Sequence, residues 1–338
     1  MKVLLTGHNG YVGKVLTKLL LENKYEVVGC DTNYFPDVFE NNSYPEIPNI
    51  ISDIRDMTVE NLKEVDAVLH LAALSNDPLG ELNSQLTYQI NYLSTVRLAE
   101  LSKKAGVKKF IFSSSCSTYG KNTETVNEES DLEPLTQYAK SKVNSEFKIL
   151  ELKDDVFCPT VLRNATVYGY SPNLRLDLVV NNLTASAFVT GKVKLLSDGT
   201  AWRPLLHVED MANAFLTVMR AQNELVTGQI FNVGNNNDNF SVRKIAEHVQ
   251  QVVPNSEVEF ANISNKDFRS YKVDFDKIVR ILNFKTRWNL QDGIKQLYNI
   301  FIKEKFSESD FHDKKFYRVE QLKWLIEEGH IDENFKFK

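Results

Sequence analysis

The chain has 338 residues, of which 42% are hydrophobic and 25% charged, and carries a formal net charge of −5. That length buries a large core and excludes a small disulfide-stapled fold, while charge spread along the sequence leaves no basic block for nucleic acid. Cys30, Cys116 and Cys158 are too far apart for a zinc spacing or a disulfide framework.

The opening residues read as a strand rather than a signal peptide, and no apolar run reaches the roughly 20 residues of a membrane span, so no membrane partner and a cytoplasmic, reducing address are expected. Short runs rich in Val, Ile and Leu, at 2–6, 26–31, 67–72, 108–113 and 158–163, alternate with stretches of helical period at 11–23, 87–104 and 137–152. This alternation predicts an α/β fold, a Rossmann doubly wound parallel sheet with helices on both faces. Past Gly169 the alternation loosens. Helices are expected near 177–190, 208–220, 242–253 and 290–303, and strands near 229–233 and 257–261.

We assign 1–170 to a Rossmann domain, to which 205–234 returns, and 171–204 with 235–303 to a smaller C-terminal substrate lobe. Residues 304–338 form a helical extension. There Val319, Leu322, Trp324, Leu325 and Ile326 recur at helical spacing, as for a helix docked on its own domain.

Thr6-Gly7-His8-Asn9-Gly10-Tyr11-Val12-Gly13 follows the first strand and opens the first helix. Glycines there permit a tight turn and bring backbone amides close to a pyrophosphate at the helix N-terminus. The second strand ends at Asp31, where a carboxylate accepts from both hydroxyls of an adenosine ribose, and neither Thr32 nor Asn33 offers a cation for a ribose phosphate. NAD is therefore the expected cofactor. His8 is expected to face solvent or touch phosphate, and His70 to pack within its strand.

Tyr138 and Lys142 stand four residues apart on one face of a predicted helix. Making a phenol of ordinary pKa near 10 into a base at neutrality takes roughly 4 kcal/mol of preferential phenolate stabilisation, which Lys142 and an oxidised nicotinamide are suited to provide. The run Ser113-Ser114-Ser115-Cys116-Ser117-Thr118-Tyr119-Gly120 ends a strand, putting hydroxyls at the carboxyl edge of the sheet.

These residues carry a resemblance: over 1–301 the chain resembles the extended short-chain dehydrogenase/reductases, in the nucleotide-sugar epimerase and dehydratase group. The glycine loop is similar to that family's TGxxGxxG, Tyr138 and Lys142 to its YxxxK, and Ser115, five before Gly120, to its catalytic Ser/Thr. The resemblance thus implies catalysis by Ser115, Tyr138 and Lys142. It implies cofactor contacts from Gly7, Asn9, Gly10, Tyr11, Val12 and Gly13 in the loop, from Asp31, and from Asp53 and Ile54 of an adenine-side acidic motif. Leu71, Ala72 and Ala73 under the cofactor, Asn91 and Ser113 complete that set, with Tyr138 and Lys142. For the substrate it implies Ser75 and Ser115, Thr166 in place of the family's asparagine, and Arg203, within a segment similar to RDFxHVxD, on a sugar-nucleotide diphosphate. Asp267, Arg269 and Tyr271 fall where relatives close over the nucleotide.

The implied activity is an NAD-dependent nucleotide-sugar epimerase at carbon 4, working through a transient keto sugar. A 4-keto nucleotide-sugar reductase using NAD(P)H needs the same residues. Family dehydratases carry an Asp-Glu pair just after the catalytic Ser/Thr, and decarboxylases a Glu at the second position; Cys116-Ser117 stands here instead and disfavours both. Cys116 is expected to be a packed thiol and His207 a structural residue. An NAD-sensing scaffold without catalysis is disfavoured by the intact Ser115, Tyr138 and Lys142. A homodimer through the helices near 87–104 and 137–152 is expected from their surplus of apolar residues. No metal ligation is expected.

Overall fold

The computed structural model describes residues 1–39, 44–260 and 269–338. Its first half runs β1 (Lys2–Thr6), α1 (Tyr11–Glu22), β2 (Glu26–Cys30), β3 (Asn49–Ile51), β4 (Ala67–His70), α2 (Asp77–Leu82), α3 (Ser84–Thr87), α4 (Ser94–Ala105), β5 (Lys109–Ser115), β6 (Lys121–Val126), α5 (Gln137–Glu151) and β7 (Cys158–Asn164). Then come β8 (Thr166–Tyr168), α6 (Val179–Thr190), β9 (Lys192–Leu195), β10 (Trp202–His207), α7 (Val208–Arg220), α8 (Asn223–Val226), β11 (Ile230–Val233), β12 (Asn239–Ser241), α9 (Val242–Val252), β13 (Glu257–Phe260) and β14 (Ser270–Val273). The chain closes with α10 (Asp276–Leu282), α11 (Leu290–Lys303), α12 (Glu308–Phe311) and α13 (Arg318–Glu327).

Seven strands form one sheet, ordered β11-β7-β5-β4-β1-β2-β3, with every pairing parallel. Both faces are covered, which is why its strands read as continuous apolar runs. Successive residues point to opposite faces: Val3, Leu5, Leu69 and Ile111 enter one core cluster, whereas Leu4, Val68, Phe110 and Phe112 enter the other. The chain reverses its direction of winding about β1, between β2 and β4, and this opens a crevice at the carboxyl ends of the strands.

Two departures from the sequence reading bear on the site. β5 extends to Ser115, because its pairing with β7 continues as far as Ser115 opposite Asn164. The helix expected over 87–104 is broken: α3 passes into a wide π-helical turn, Tyr88–Leu93, before α4 begins. The Ser94 hydroxyl donates to Gln89 O, five residues back, at 2.9 Å. A single inserted residue of this kind is invisible in a 3.6-residue period.

Three smaller sheets, β12-β10-β8, β13-β9 and β14-β6, carry the remaining strands. The strand expected over 257–261 runs as Glu257–Phe260, and Ala261 lies outside the described residues. In the C-terminal extension Leu322, Leu325, Ile331 and Phe335 are buried in the same cluster as Leu4 and Phe110. No helix among the described residues is long and apolar enough to cross a membrane.

Candidate active site

β1 ends at Thr6, and Gly7 turns the chain with φ +74°. A Cβ at Gly7 would stand 2.9 Å from Ala72 N, and one at Gly13 would stand 2.0 Å from Gly7 O, so side chains at either position would break the turn or its packing on β4. Gly10 caps α1 with no side-chain hydrogen bond, leaving the first-turn amides for an anion. Asp31 is already oriented: its Oδ2 accepts from Asn9 N at 2.9 Å and its Oδ1 from Asn33 N at 2.8 Å. A bare amide cradle with a carboxylate beyond the next strand fits a dinucleotide.

The second part rests on β5 and α5. Thr136 caps α5, its Oγ1 accepting from Ala139 N at 3.1 Å and donating to Asp77 Oδ1 at 2.5 Å. Asp77 in turn pairs with Arg269 at 2.5 Å. One turn into α5, Tyr138 and Lys142 are both buried. Lys142 Nζ donates to Ser113 O at 2.7 Å and lies 4.7 Å from the centre of the Phe112 ring and 5.7 Å from that of Tyr138. Burial pushes the Lys142 ammonium down to about 7, opposed by Glu146.

The chain's own groups do not lower the Tyr138 phenol. Burial, and then the charge of Asp77, push it above its ordinary value, while a hydrogen bond with Ser115 works the other way. Phenolate formation therefore requires a positive charge beyond what the side chains supply.

Below these residues lies a buried ionic network. Arg163 on β7 meets Glu146 on α5 at 2.6 Å, the Ser114 hydroxyl donates to Glu146, and Arg163 Nη1 donates to Tyr119 Oη at 3.0 Å. It fixes α5 to the end of the sheet.

The glycine cradle, Asp31 and the residues at the ends of β5 and α5 open into one cavity of about 650 Å³, a size usual for small-molecule sites. It is lined by Gly7, Gly10, Tyr11, Val12, Gly13, Asp31, Asp53, Ile54, Leu71, Ala72 and Ala73, and by Ser113, Ser115, Tyr138 and Lys142. Ser75, Thr166, Arg203, Arg269 and Tyr271 line it as well. Asn9 and Asn91 do not. The Asn9 amide holds Asp31, and buried Asn91, in the π-helical turn, bonds Leu74 N and O at 2.8 and 3.0 Å and so shapes the loop after β4. Asp267 lies outside the described residues.

Arg203 Nη1 donates to Trp202 O at 2.7 Å and to Arg269 O. Sequence reasoning missed Arg175 and Asp177, a bidentate buried pair at 2.8 and 2.9 Å whose Arg175 Nη1 also donates to the Ser75 hydroxyl at 3.0 Å. The available signal was two charges inside the apolar run Leu174 to Val180, which only a paired, buried site tolerates. It also missed Asp77, Tyr317 and Arg318.

The histidines are structural. His8 neither faces solvent nor reaches phosphate: it is buried against Gly29, where a Cβ would come within 2.3 Å of its Nδ1. His70 bridges the hydroxyls of Thr6 and Thr95, each at 2.7 Å, and burial holds it down to about 3. His207 stacks on Trp288 at 4.1 Å, meets Gln296 Oε1 at 2.9 Å and is held by burial down to about 4. Cys116 is a buried thiol, its Sγ 3.2 Å from Arg163 O, and burial pushes its pKa up. No group of three or more potential metal ligands occurs among the described residues.

Residues 3–234 match the NAD dependent epimerase/dehydratase family. A putative UDP-glucose 4-epimerase of Methanocaldococcus jannaschii is 26% identical over 306 residues, spanning 88% of this chain and 97% of that one. A UDP-glucuronate 4-epimerase of Thermodesulfobacterium geofontis is 25% identical, spanning 88% and 94%. Among solved structures, a UDP-glucuronic acid 4-epimerase from Bacillus cereus in complex with UDP-glucuronic acid and NAD superposes with a TM-score of 0.77 at 25% identity, covering 90% of this chain and all of that one. With the parallel sheet, the bare glycine cradle and the match across more than half its length, the chain belongs to the NAD-dependent epimerase/dehydratase family, and its cofactor is NAD.

Proposed function

We propose that this chain is a nucleotide-sugar 4-epimerase working through a transient keto sugar. One observation carries the reading: Ser115, Tyr138 and Lys142 line the same cavity as the glycine loop, while the two residues after Ser115 are a buried thiol and a hydroxyl rather than an acid and a base. The two 4-epimerase relatives support it, although a UDP-glucuronic acid decarboxylase of Arabidopsis thaliana is 27% identical over 306 residues. Elimination or decarboxylation would have to borrow Asp77 or Asp177, and both are already held, by Arg269 and Arg175.

Bound NAD supplies the acceptor and later the donor of hydride. Tyr138 Oη removes the proton of the sugar hydroxyl, which the Ser115 hydroxyl orients, and returns it to the same oxygen once the keto sugar has turned over and presents its other face to the cofactor. Lys142, held by the Ser113 carbonyl, would add its charge to that of bound oxidised NAD, and the two together would make this proton transfer possible near neutrality. Arg203, Arg269 and Tyr271 of the lobe of 171–204 and 235–303, with Thr166 from the Rossmann domain, take the nucleotide-sugar end. A 4-keto reductase would use the same groups and differ in starting from an already oxidised sugar, taking up reduced cofactor and releasing it oxidised.

We further propose a cytoplasmic homodimer. Tyr88 and Leu93 in the π-helical turn and Phe147 on α5 are 40%, 47% and 61% exposed, an apolar surplus on the two segments that a partner copy would cover. The buried free thiols suit a reducing compartment.

The test is to incubate purified protein with UDP-glucose, UDP-glucuronate and other nucleotide sugars, with and without NADH, and to follow product stereochemistry together with absorbance at the reduced-cofactor band. Inversion at carbon 4 without net cofactor turnover is expected. Stoichiometric NADH consumption when a 4-keto nucleotide sugar is supplied would establish the reductase instead.

A further inference from the structure

Arg318, the first residue of α13, is the largest fully buried side chain in the protein. It lines the same cavity as Gly10 to Gly13, although 305 residues separate it from that loop. Its Nη2 donates to Asn173 O at 3.1 Å and to Asn173 Oδ1, and the Phe35 ring centre lies 4.3 Å from its Cζ. Nη1 has no hydrogen-bond partner, and no carboxylate forms an ion pair with the guanidinium among the described residues. A buried cation paired only with a neutral amide and a ring is costly unless an anion comes to it. Burial, and then the nearby charge of Arg175, push its pKa down to about 9, as expected for a cation lacking a counter-ion.

The connection to the glycine loop is direct. The same Asn173 that receives Arg318 donates through Nδ2 to Asn9 O at 2.8 Å and to Phe35 O at 2.9 Å. Farther along, the C-terminal segment grips the adenine side of the cavity. Tyr34 Oη donates to Phe335 O, Arg55 Nη1 donates to Asn334 O at 2.7 Å, and Lys336 Nζ lies 3.0 Å from Asp53 Oδ2 and 2.6 Å from Asp56 Oδ2.

We infer that the segment from Arg318 to Lys336 is part of the dinucleotide site: Arg318 serves the pyrophosphate from the side opposite the glycine-loop amides, and the tail clasps the adenosine end and slows cofactor release. This rests on NAD occupying the glycine loop. A diphosphate also belongs to the nucleotide sugar; the link through Asn173 to Asn9 selects the dinucleotide. Slow release suits an enzyme whose cofactor is reoxidised within the same site.

Arg318→Met removes the charge and keeps the length, and Arg318→Lys restores charge without the planar fork. Calorimetric titration of the cofactor-free protein with NAD and ADP-ribose, and separately with UDP, dTDP and GDP, reads the two diphosphate sources apart. Thermal melting without ligand reads the fold. Expected are a ten- to hundredfold weaker affinity for NAD and ADP-ribose in Arg318→Met, partial recovery in Arg318→Lys, unchanged affinity for whichever nucleoside diphosphate the wild type binds, and a ligand-free melt no lower than wild type. Lys336→Met should accelerate NAD dissociation in a stopped-flow chase. Unchanged NAD affinity, selective loss of nucleoside-diphosphate binding, or a lowered melt with both affinities reduced alike would each overturn the proposal. Wild-type protein binding neither NAD nor ADP-ribose would remove the dinucleotide reading on which it stands.

Discussion

At the residue scale the site turns on one phenol that the protein by itself makes a weaker acid. Burial and Asp77 oppose its ionisation, so Tyr138 acts only with added positive charge beside it. Tyr138→Phe deletes one oxygen and keeps the ring and the Cβ, which stands close enough to Gly80 that a Cβ there would lie 2.8 Å from it. Turnover on a confirmed sugar should fall by roughly a hundredfold or more with affinity for NAD and sugar nucleotide nearly unchanged. Full turnover in this variant would rule out the proton path. Asp31→Asn removes the charge that repels a ribose phosphate and keeps one of the two acceptors that now take the amides of Asn9 and Asn33. The preference for NAD over NADP should narrow by about tenfold, the scale of one charge-assisted contact; parallel titrations of the two cofactors measure it.

The buried histidines give the fold a pH dependence with a definite sign. His207 stays neutral in the folded chain until about pH 4, whereas an unfolded imidazole takes up a proton below about 6.5. Between those values the unfolded state binds more protons, so stability falls as pH drops through the window. His207 alone accounts for a loss on the order of 3 kcal/mol by pH 4. Denaturant unfolding at a series of pH values should show a flatter acid limb in His207→Asn than in wild type; parallel limbs would refute the assignment.

At the element scale, α5 carries the proposed catalytic pair and is held at its first turn and its middle. Its first turn is fixed by Thr136 and Asp77, and its middle by Glu146 paired with Arg163. Glu146→Ala leaves Arg163 buried without its carboxylate, which costs about 3–5 kcal/mol. Chemical denaturation should register that loss, and the variant should lose activity even where it is folded, because Lys142 shares the helix. The π-helical turn matters at the same scale: it brings Asn91 onto the backbone of Leu74, beside the cavity-lining residues Ala73 and Ser75.

For the whole molecule, the exposed apolar residues of the π-helical turn and α5 predict a second copy. Phe147→Glu should shift the mass measured by light scattering at micromolar concentration from dimer to monomer while leaving the far-ultraviolet circular dichroism unchanged. A wild type already monomeric at that concentration would remove the interface.

The glycine loop, Asp31, and the Tyr138–Lys142 pair were legible in the sequence because each depends on spacing within one turn, one strand or one helix. So were the strands of the central sheet other than β3, since burial on both faces leaves an unbroken apolar run; β3, at the edge and not buried, gives no such run. Only the folded chain revealed Arg175 beside Ser75, Arg269 on Asp77, and Arg318 on Asn173, because those partners lie 100, 192 and 145 residues away. His8 shows the same limit from the other side: a polar residue in a ligand loop reads as exposed until Gly29, on the neighbouring strand, leaves the hollow into which it folds. Local spacing fixes which chemistry the chain can carry. Long-range packing decides which charges are buried, and so which of them need a ligand.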